Sequence, residues 1–99
     1  MKLYELAHAR AGDKGNISTI SIIAYDMDDY DFLRQRVTVT RVMRQFSLLG
    51  ATKVERYELP QLGALNFVIY NVLGGGVTHS LALDTHGKSY SSLMLEMYI

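Results

Sequence analysis

The stretch ALNFVIYNVL, residues 64–73, constrains the fold most, because it is an almost continuous apolar run. A short run of this kind is typical of a strand that is covered on both faces. We therefore predict a central, doubly covered strand over these residues. Such a strand needs neighbouring strands, and a chain of 99 residues is long enough for one modest core. We expect a single domain over residues 1–99.

Other segments supply the neighbouring strands. Residues 2–10 alternate, which predicts a strand with His8 and Arg10 on one face. The run ISTISIIAY, residues 17–25, is rich in β-branched residues and predicts a second strand. We expect residues 11–16 to join the two as an antiparallel hairpin, with Gly12 and Gly15 at positive φ. Residues 52–59, which Pro60 closes, and residues 77–83 also alternate as strands do.

Two helices are predicted between the second and third strands. Residues 26–37 begin with acids and end with arginines, which suits a helix dipole, with Tyr30, Leu33 and Val37 inward. Thr38 can cap a second helix that Gly50 ends. Its apolar residues recur at steps of three and four: Val39, Val42, Met43, Phe46 and Leu49. The segment SYSSLMLEMYI fits a helix or a strand, and we favour the helix.

This order of elements predicts an α+β fold. Its natural two-layer arrangement is a mixed or antiparallel sheet with helices on one face. The split β-α-β arrangement of ferredoxin-like folds is the nearest standard architecture.

Composition excludes several classes of function. The chain has no cysteine, which rules out disulfides and thiolate chemistry, and ten basic residues balance ten acidic ones, which argues against nucleic-acid binding. No apolar run approaches the length of a membrane span, and the first residues do not form a signal peptide, so we predict a cytoplasmic protein. His8, His79 and His86 lack ligand spacing, so we expect no metal, and no cofactor motif is present.

The segment HARAGDKGN, residues 8–16, is the main candidate site. Glycines that turn the backbone leave successive N–H groups uncovered, and these suit an anion. Arg10 and Lys14 add positive charge, Asp13 can orient Lys14, and His8 can transfer a proton near neutral pH. Ordinary turn chemistry explains most of these residue types, so a purely structural role is the simpler interpretation. The candidate ligand-binding residues here are Arg10, Gly12, Asp13, Lys14, Gly15 and Asn16, and His8 is the candidate catalytic residue.

Five further residues interrupt the apolar pattern. Gly74, Gly75 and Gly76 indicate a bulge or tight packing more than a ligand contact. His79 falls on an apolar face and fits a core position. Asn66 can face the polar loop, but we favour the interpretation that it makes a structural hydrogen bond to a neighbouring turn.

Three motifs occur in the order of a known family: HARAGDKGN, ALNF at residues 64–67 and LGGG at residues 73–76. Over nearly the whole chain they resemble the C-terminal ferredoxin-like domain of the acyclic terpene utilisation protein A (AtuA)-like family. In that family the domain usually follows a much larger N-terminal region, and members occur among genes for acyl-CoA breakdown of branched or terpenoid acids. The resemblance implies a split-off subunit or a stand-alone version of this domain.

Two functions of different classes follow. The favoured one is an accessory domain or subunit that binds a larger AtuA-type partner, or itself as a homo-oligomer, and helps to form a site for a carboxylate or acyl-CoA-type ligand. A short chain offers a deep pocket most easily at an oligomer interface. The alternative is a stand-alone hydratase, isomerase or lyase in which His8 transfers a proton while Arg10 and Lys14 hold an anion or enolate.

Overall fold

The computed structural model describes residues 1–72 and 89–99. Its strands are β1 (Ala7–Lys14), β2 (Ile17–Ala24), β3 (Lys53–Leu59) and β4 (Ala64–Tyr70), and its α-helices are α1 (Tyr30–Arg36), α2 (Val39–Phe46) and α3 (Ser89–Leu95). Short 3-10 helices occupy Leu3–Glu5, Met27–Asp29, Ser47–Leu49 and Pro60–Leu62.

The strands form a sheet in the order β1-β2-β4-β3, and neighbouring strands are antiparallel. The predicted antiparallel sheet is therefore confirmed for this part of the chain. Strand β4 is central, as its apolar sequence predicted, because it pairs with β2 on one side and β3 on the other.

One face of this sheet carries the core. Side chains alternate along each strand, and the strand residues of the core cluster all lie on this face: Ala7, Ile20, Ile22, Val54, Leu65, Phe67 and Ile69. The helices cover them with buried side chains that include Leu33, Phe46 and Met94. Arg56 ties the two layers together, since its Nη1 donates to the carbonyl oxygens of Arg34 and Val37 at 2.6 and 3.0 Å.

The opposite face is called the second face here. By register it carries His8, Arg10, Gly12 and Lys14 of β1, Ile17, Thr19, Ser21 and Ile23 of β2, Ala64, Asn66, Val68 and Tyr70 of β4, and Lys53, Glu55, Tyr57 and Leu59 of β3. Asn66, Val68 and Tyr70 are only half-buried. The prediction that this strand is fully covered on both faces is therefore wrong, since Phe67 and Ile69 are buried and their neighbours are not.

The predicted first strand begins five residues too early. Leu3–Glu5 is a 3-10 helix, and β1 starts at Ala7. Leu3 is fully buried, and its N–H donates to the carbonyl of Met97 at 2.8 Å. This contact with a segment more than ninety residues away takes Leu3 out of the sheet, and alternation within residues 2–10 cannot reveal it.

The hairpin forms, but with a shorter loop than predicted. Strand β1 continues to Lys14, which pairs with Ile17, so only Gly15 and Asn16 make the turn. Gly15 has φ +65°, whereas Gly12 lies opposite Thr19 in regular strand and is not among the positive-φ glycines. The expectation that Gly12 turns the chain is wrong, because a two-residue turn needs positive φ only in its loop.

The helical predictions hold with small changes. Thr38 caps α2, with its Oγ1 accepting from the N–H of Arg41 at 3.2 Å, and Gly50 follows the helical region at φ +98°. Val39 is exposed rather than inward. Residues 89–95 are helical, as favoured. The predicted strand 77–83, Gly74, Gly75 and Gly76, and His79 and His86 lie outside the described residues.

Candidate functional site

A polar row crosses the second face of the sheet. Register places Arg10 beside Ser21, Ser21 beside Asn66, and Asn66 beside Tyr57. The Ser21 hydroxyl donates to Oδ1 of Asn66 at 2.8 Å, so the two central members are fixed. Asn66 thus makes a structural hydrogen bond, as favoured, but with a residue of β2 rather than with a neighbouring turn.

Strand β1 gives this face a basic margin, made by His8, Arg10 and Lys14. All three side chains are exposed, and period-two alternation places them on the same face. Neither Arg10 nor Lys14 forms an ion pair with a residue that the structure describes. The margin therefore presents positive charge that is free to meet an anion.

The residues of this margin are far apart. Because β1 is continuous, Lys14 lies six positions after His8, which corresponds to roughly 20 Å, and four positions after Arg10, roughly 13 Å. The expectation that the cations and the acid of HARAGDKGN lie within reach of one another is wrong, because Arg10 and Lys14 share one face of β1 and Asp13 lies on the other. A small substrate does not reach His8 and Lys14 at once, whereas His8 and Arg10 remain neighbours on this face.

Asp13 lies on the other face of β1. Its Oδ1 accepts a hydrogen bond from the hydroxyl of Ser18, a fully buried residue, at 3.0 Å. Since Lys14 is the next residue along the strand, the two side chains point to opposite faces. The prediction that Asp13 orients Lys14 is therefore wrong, and Asp13 instead satisfies a buried polar group.

The backbone of the hairpin does not form the predicted concavity. In an antiparallel strand, successive N–H groups point alternately toward and away from the neighbouring strand. Residues 11–14 are part of β1, so their N–H groups diverge. Only Gly15 and Asn16 keep turn geometry.

Asn16 has a structural partner at the far end of β4. Its Nδ2 donates to Oδ1 of Asn71 at 2.6 Å, and its carbonyl accepts from the N–H of Asn71 at 2.6 Å. The Nδ2 of Asn71 then donates to the Thr52 hydroxyl at 2.6 Å. This chain of amides joins the hairpin turn to the segment that precedes β3, and it engages the polar groups of Asn16 that we expected to bind ligand.

His8 stacks on Tyr25, with ring centroids 5.3 Å apart and planes inclined by 29°. Both side chains are exposed at the end of the sheet away from the turn.

A second cluster on this face escaped the sequence analysis. The hydroxyls of Tyr57 and Tyr70 donate to Oε1 of Glu55 at 3.1 and 3.0 Å, and Nζ of Lys53 lies 3.3 Å from Oε2. Bonds from Tyr70, Lys53 and Tyr57 lower the pKa of Glu55, while the bond to Glu55 raises the pKa of each tyrosine. The sequence alone indicates that three of these four residues lie together, because Lys53, Glu55 and Tyr57 alternate along one strand and share a face.

Two concave features lie on the described residues. A pocket of about 270 Å³ is lined by residues 58–62 at the end of β3, and a cleft of about 110 Å³ lies between α2 and the segment after α3. Neither contains a residue of the basic margin.

Within residues 1–72 and 89–99, no three acidic or histidine side chains are grouped to hold a metal ion. No helix in the same residues is long and apolar enough to cross a bilayer.

Comparison with known proteins was informative at the level of the family. No curated protein and no solved structure is similar enough to this chain to count as a match. The family model of the AtuA ferredoxin-like domain matches residues 1–99, which is the whole chain. This match confirms the resemblance carried by the three sequence motifs, and the ferredoxin-like α+β fold with it. The chain belongs to the family of AtuA ferredoxin-like domains.

Proposed function

We propose that this protein is an accessory domain that docks through the second face of its sheet on another protein surface, either a larger AtuA-type chain or a second copy. In the docked state, Arg10 and Lys14 contribute positive charge to a site for a carboxylate or acyl-CoA-type ligand. The observation that carries the proposal is the basic margin beside a half-buried sheet face.

The composition of the second face supports docking. Half-buried apolar side chains, Ile17, Ile23 and Val68, lie among two polar ones, Ser21 and Asn66, that are hydrogen-bonded to each other. An interface combines an apolar centre with a charged rim in this way. Arg10 and Lys14 occupy the rim position here because β1 is the last strand of the described sheet.

The shape of the described surface supports a shared ligand site. Ligand pockets usually enclose roughly 300–1,000 Å³ and bury most of the ligand. Among the described residues the basic margin lies on a strand and lines neither of the two clefts, which leaves a second surface to enclose a ligand bound there. The positive charge of this domain would then orient the anionic group while the partner encloses the rest.

Docking can be tested by sedimentation analysis. The wild-type domain is measured alone at increasing concentration, and together with a long AtuA-type chain that the same genome encodes. Val68→Arg places a charge in the middle of the second face, and Leu48→Arg is the matched control because Leu48 is 94% exposed on the helical layer. We expect wild type and Leu48→Arg to associate and Val68→Arg to remain separate. If wild type associates with neither itself nor the long chain, the docking proposal is wrong.

The ligand can be tested by thermal shift on the associated form. A panel of acyl-CoAs and free carboxylic acids is compared at constant ionic strength. A ligand at a hundred times its dissociation constant adds about 2.7 kcal/mol to the free energy of unfolding. We expect that stabilisation to fall for Arg10→Gln and Lys14→Gln but not for Arg36→Gln, which removes the same charge from α1. Equal losses in all three variants would show a general charge effect instead of a site.

A further inference from the structure

The cleft of about 110 Å³ on the helical layer is lined by Arg41, Arg44, Gln45, Met97 and Tyr98. It lies between α2 and the segment that follows α3. The enclosed part of a cleft of this size holds a group of a few heavy atoms. The charge of its lining, which includes two arginines, decides which kind of group it suits.

The walls of the cleft are fixed by hydrogen bonds. Nη1 of Arg41 donates to the carbonyl of Tyr98 at 2.9 Å, and Nε2 of Gln45 donates to the carbonyl of Leu93 at 2.8 Å. These two bonds join α2 to the segment of residues 93–98 on either side of the opening. One nitrogen of the Arg41 guanidinium is therefore bound to the backbone, and the other nitrogens remain available to the cleft.

The two arginines are neighbours without an acidic partner. They are three residues apart on α2, a spacing that brings side chains together on a helix surface. Neither forms an ion pair with any residue in the described ranges. Glu96, the acid closest in sequence to the other wall, is paired with Lys2.

No acid lies close in sequence to either arginine, since residues 32–54 contain no Asp or Glu. Like charges at this helical spacing repel one another, and an anion between them removes the repulsion. The cleft thus combines a small volume, fixed walls and two uncompensated positive charges.

We propose that this cleft binds a phosphate group. Guanidinium groups bind phosphate through parallel N–H bonds, and a dianionic phosphate matches the charge of two arginines better than a carboxylate does. The cleft belongs to the helical layer, on the opposite side of the sheet from the basic margin. It is therefore independent of the docking function proposed above.

Binding can be measured by titrating inorganic phosphate into the ¹⁵N-labelled domain, with sodium chloride keeping the ionic strength constant. We expect saturable shifts of the amides of residues 41–45 and 97–98. Arg44→Gln is the main variant, because the Arg44 guanidinium makes no hydrogen bond to the described residues and its loss leaves the Arg41 to Tyr98 bond intact. We expect at least tenfold weaker binding for Arg44→Gln and unchanged binding for Arg36→Gln. Arg41→Lys, which keeps the charge and loses the fork, should also weaken binding.

Three results would overturn the assignment. Shifts that do not saturate, or that sodium chloride reproduces, would show general screening. Equal weakening by Arg44→Gln and Arg36→Gln would show a diffuse field rather than a cleft. Acetate binding as tightly as phosphate would exclude a phosphate-selective site. A nucleoside monophosphate in a parallel titration distinguishes a phosphate ester from the free ion as the preferred source of the group.

Discussion

Asn71 combines an unusual backbone conformation with a bridging side chain. Its φ is +70°, a region that costs a residue with a Cβ atom roughly 1–2 kcal/mol unless its side chain compensates locally. The side chain does so here by bonding Asn16 and Thr52. We therefore expect Asn71→Ala to lower the free energy of unfolding by about 2 kcal/mol in urea titrations, since the strain remains and each lost hydrogen bond contributes about 1 kcal/mol.

Asn71→Gly is the matched control for this effect. Glycine loses the same hydrogen bonds but accepts positive φ without strain. We expect Asn71→Gly to be more stable than Asn71→Ala by about 1 kcal/mol, which isolates the backbone contribution. Equal stability of the two variants would mean that the backbone at residue 71 is not strained.

Glu55 makes the free energy of unfolding depend on pH. Hydrogen bonds from Tyr70, Lys53 and Tyr57 lower its pKa in the folded state. A carboxyl group of this kind stabilises the fold above its unfolded pKa and loses that contribution as the pH falls through the folded value. We expect wild type to lose more stability than Glu55→Gln between pH 7 and pH 3, by urea denaturation at a series of pH values.

The control for Glu55 is Asp28→Asn, since the Asp28 side chain accepts no hydrogen bond within the described residues. This variant should keep the acid sensitivity of wild type. Tyr70→Phe should reduce the sensitivity part of the way, because it removes the strongest of the three bonds to Glu55. A pH dependence of Glu55→Gln identical to that of wild type would contradict the role of this cluster.

At the level of elements, the two glycines of the β1–β2 hairpin differ in backbone conformation. Gly15 is in the turn at φ +65°, and Gly12 is in the strand with nothing within 4 Å of an added Cβ atom. We expect Gly15→Ala to lower stability by roughly 1 kcal/mol through backbone strain alone. Gly12→Ala should be neutral or stabilise by up to about 1 kcal/mol, because alanine restricts the unfolded chain. Destabilisation by Gly12→Ala as large as that by Gly15→Ala would place the turn where the sequence predicted it.

The elements that the sequence predicts well are those decided by local chemistry. Thr38 caps α2 through a bond to a residue three positions away, and the Gly15-Asn16 pair suits a two-residue turn. The candidate site depends instead on contacts between distant segments. Asn16 is engaged by Asn71, and Arg41 is fixed by Tyr98, so neither role is visible in the residues around them.

The register of β1 determines where the other polar residues of the candidate site lie. The sequence predicts a strand to residue 10 and a loop over residues 11–16, beside which the cations and the acid of HARAGDKGN meet. Because the strand extends to Lys14, Asp13 and Lys14 point to opposite faces, and His8 is separated from both. Turn residues are compatible with strand when a neighbouring strand pairs with them, and residue types alone do not reveal how far that pairing extends.

The core of the molecule lies on one face of its sheet. Two adjacent residues of β4, Phe67 and Val68, lie on opposite faces, so their substitution compares the two faces. Phe67 is fully buried beneath the helices, while Val68 is half-buried on the second face. We expect Phe67→Ala to lower the free energy of unfolding by roughly 3–5 kcal/mol, which is a large part of the stability of a domain of this size. Val68→Ala should cost less than about 1.5 kcal/mol at concentrations where the domain is dissociated, because it leaves no enclosed cavity.

The same pair of variants separates folding from docking. If the second face docks on a protein surface, Val68→Ala should weaken association under conditions where its unfolding curve barely moves. Phe67→Ala should weaken association only in proportion to the fraction of molecules that unfold, since its side chain does not reach the second face. A cost for Val68→Ala of 3 kcal/mol or more in the dissociated domain would show instead that this face is a second core, covered within one chain, as the apolar run of residues 64–73 first suggested.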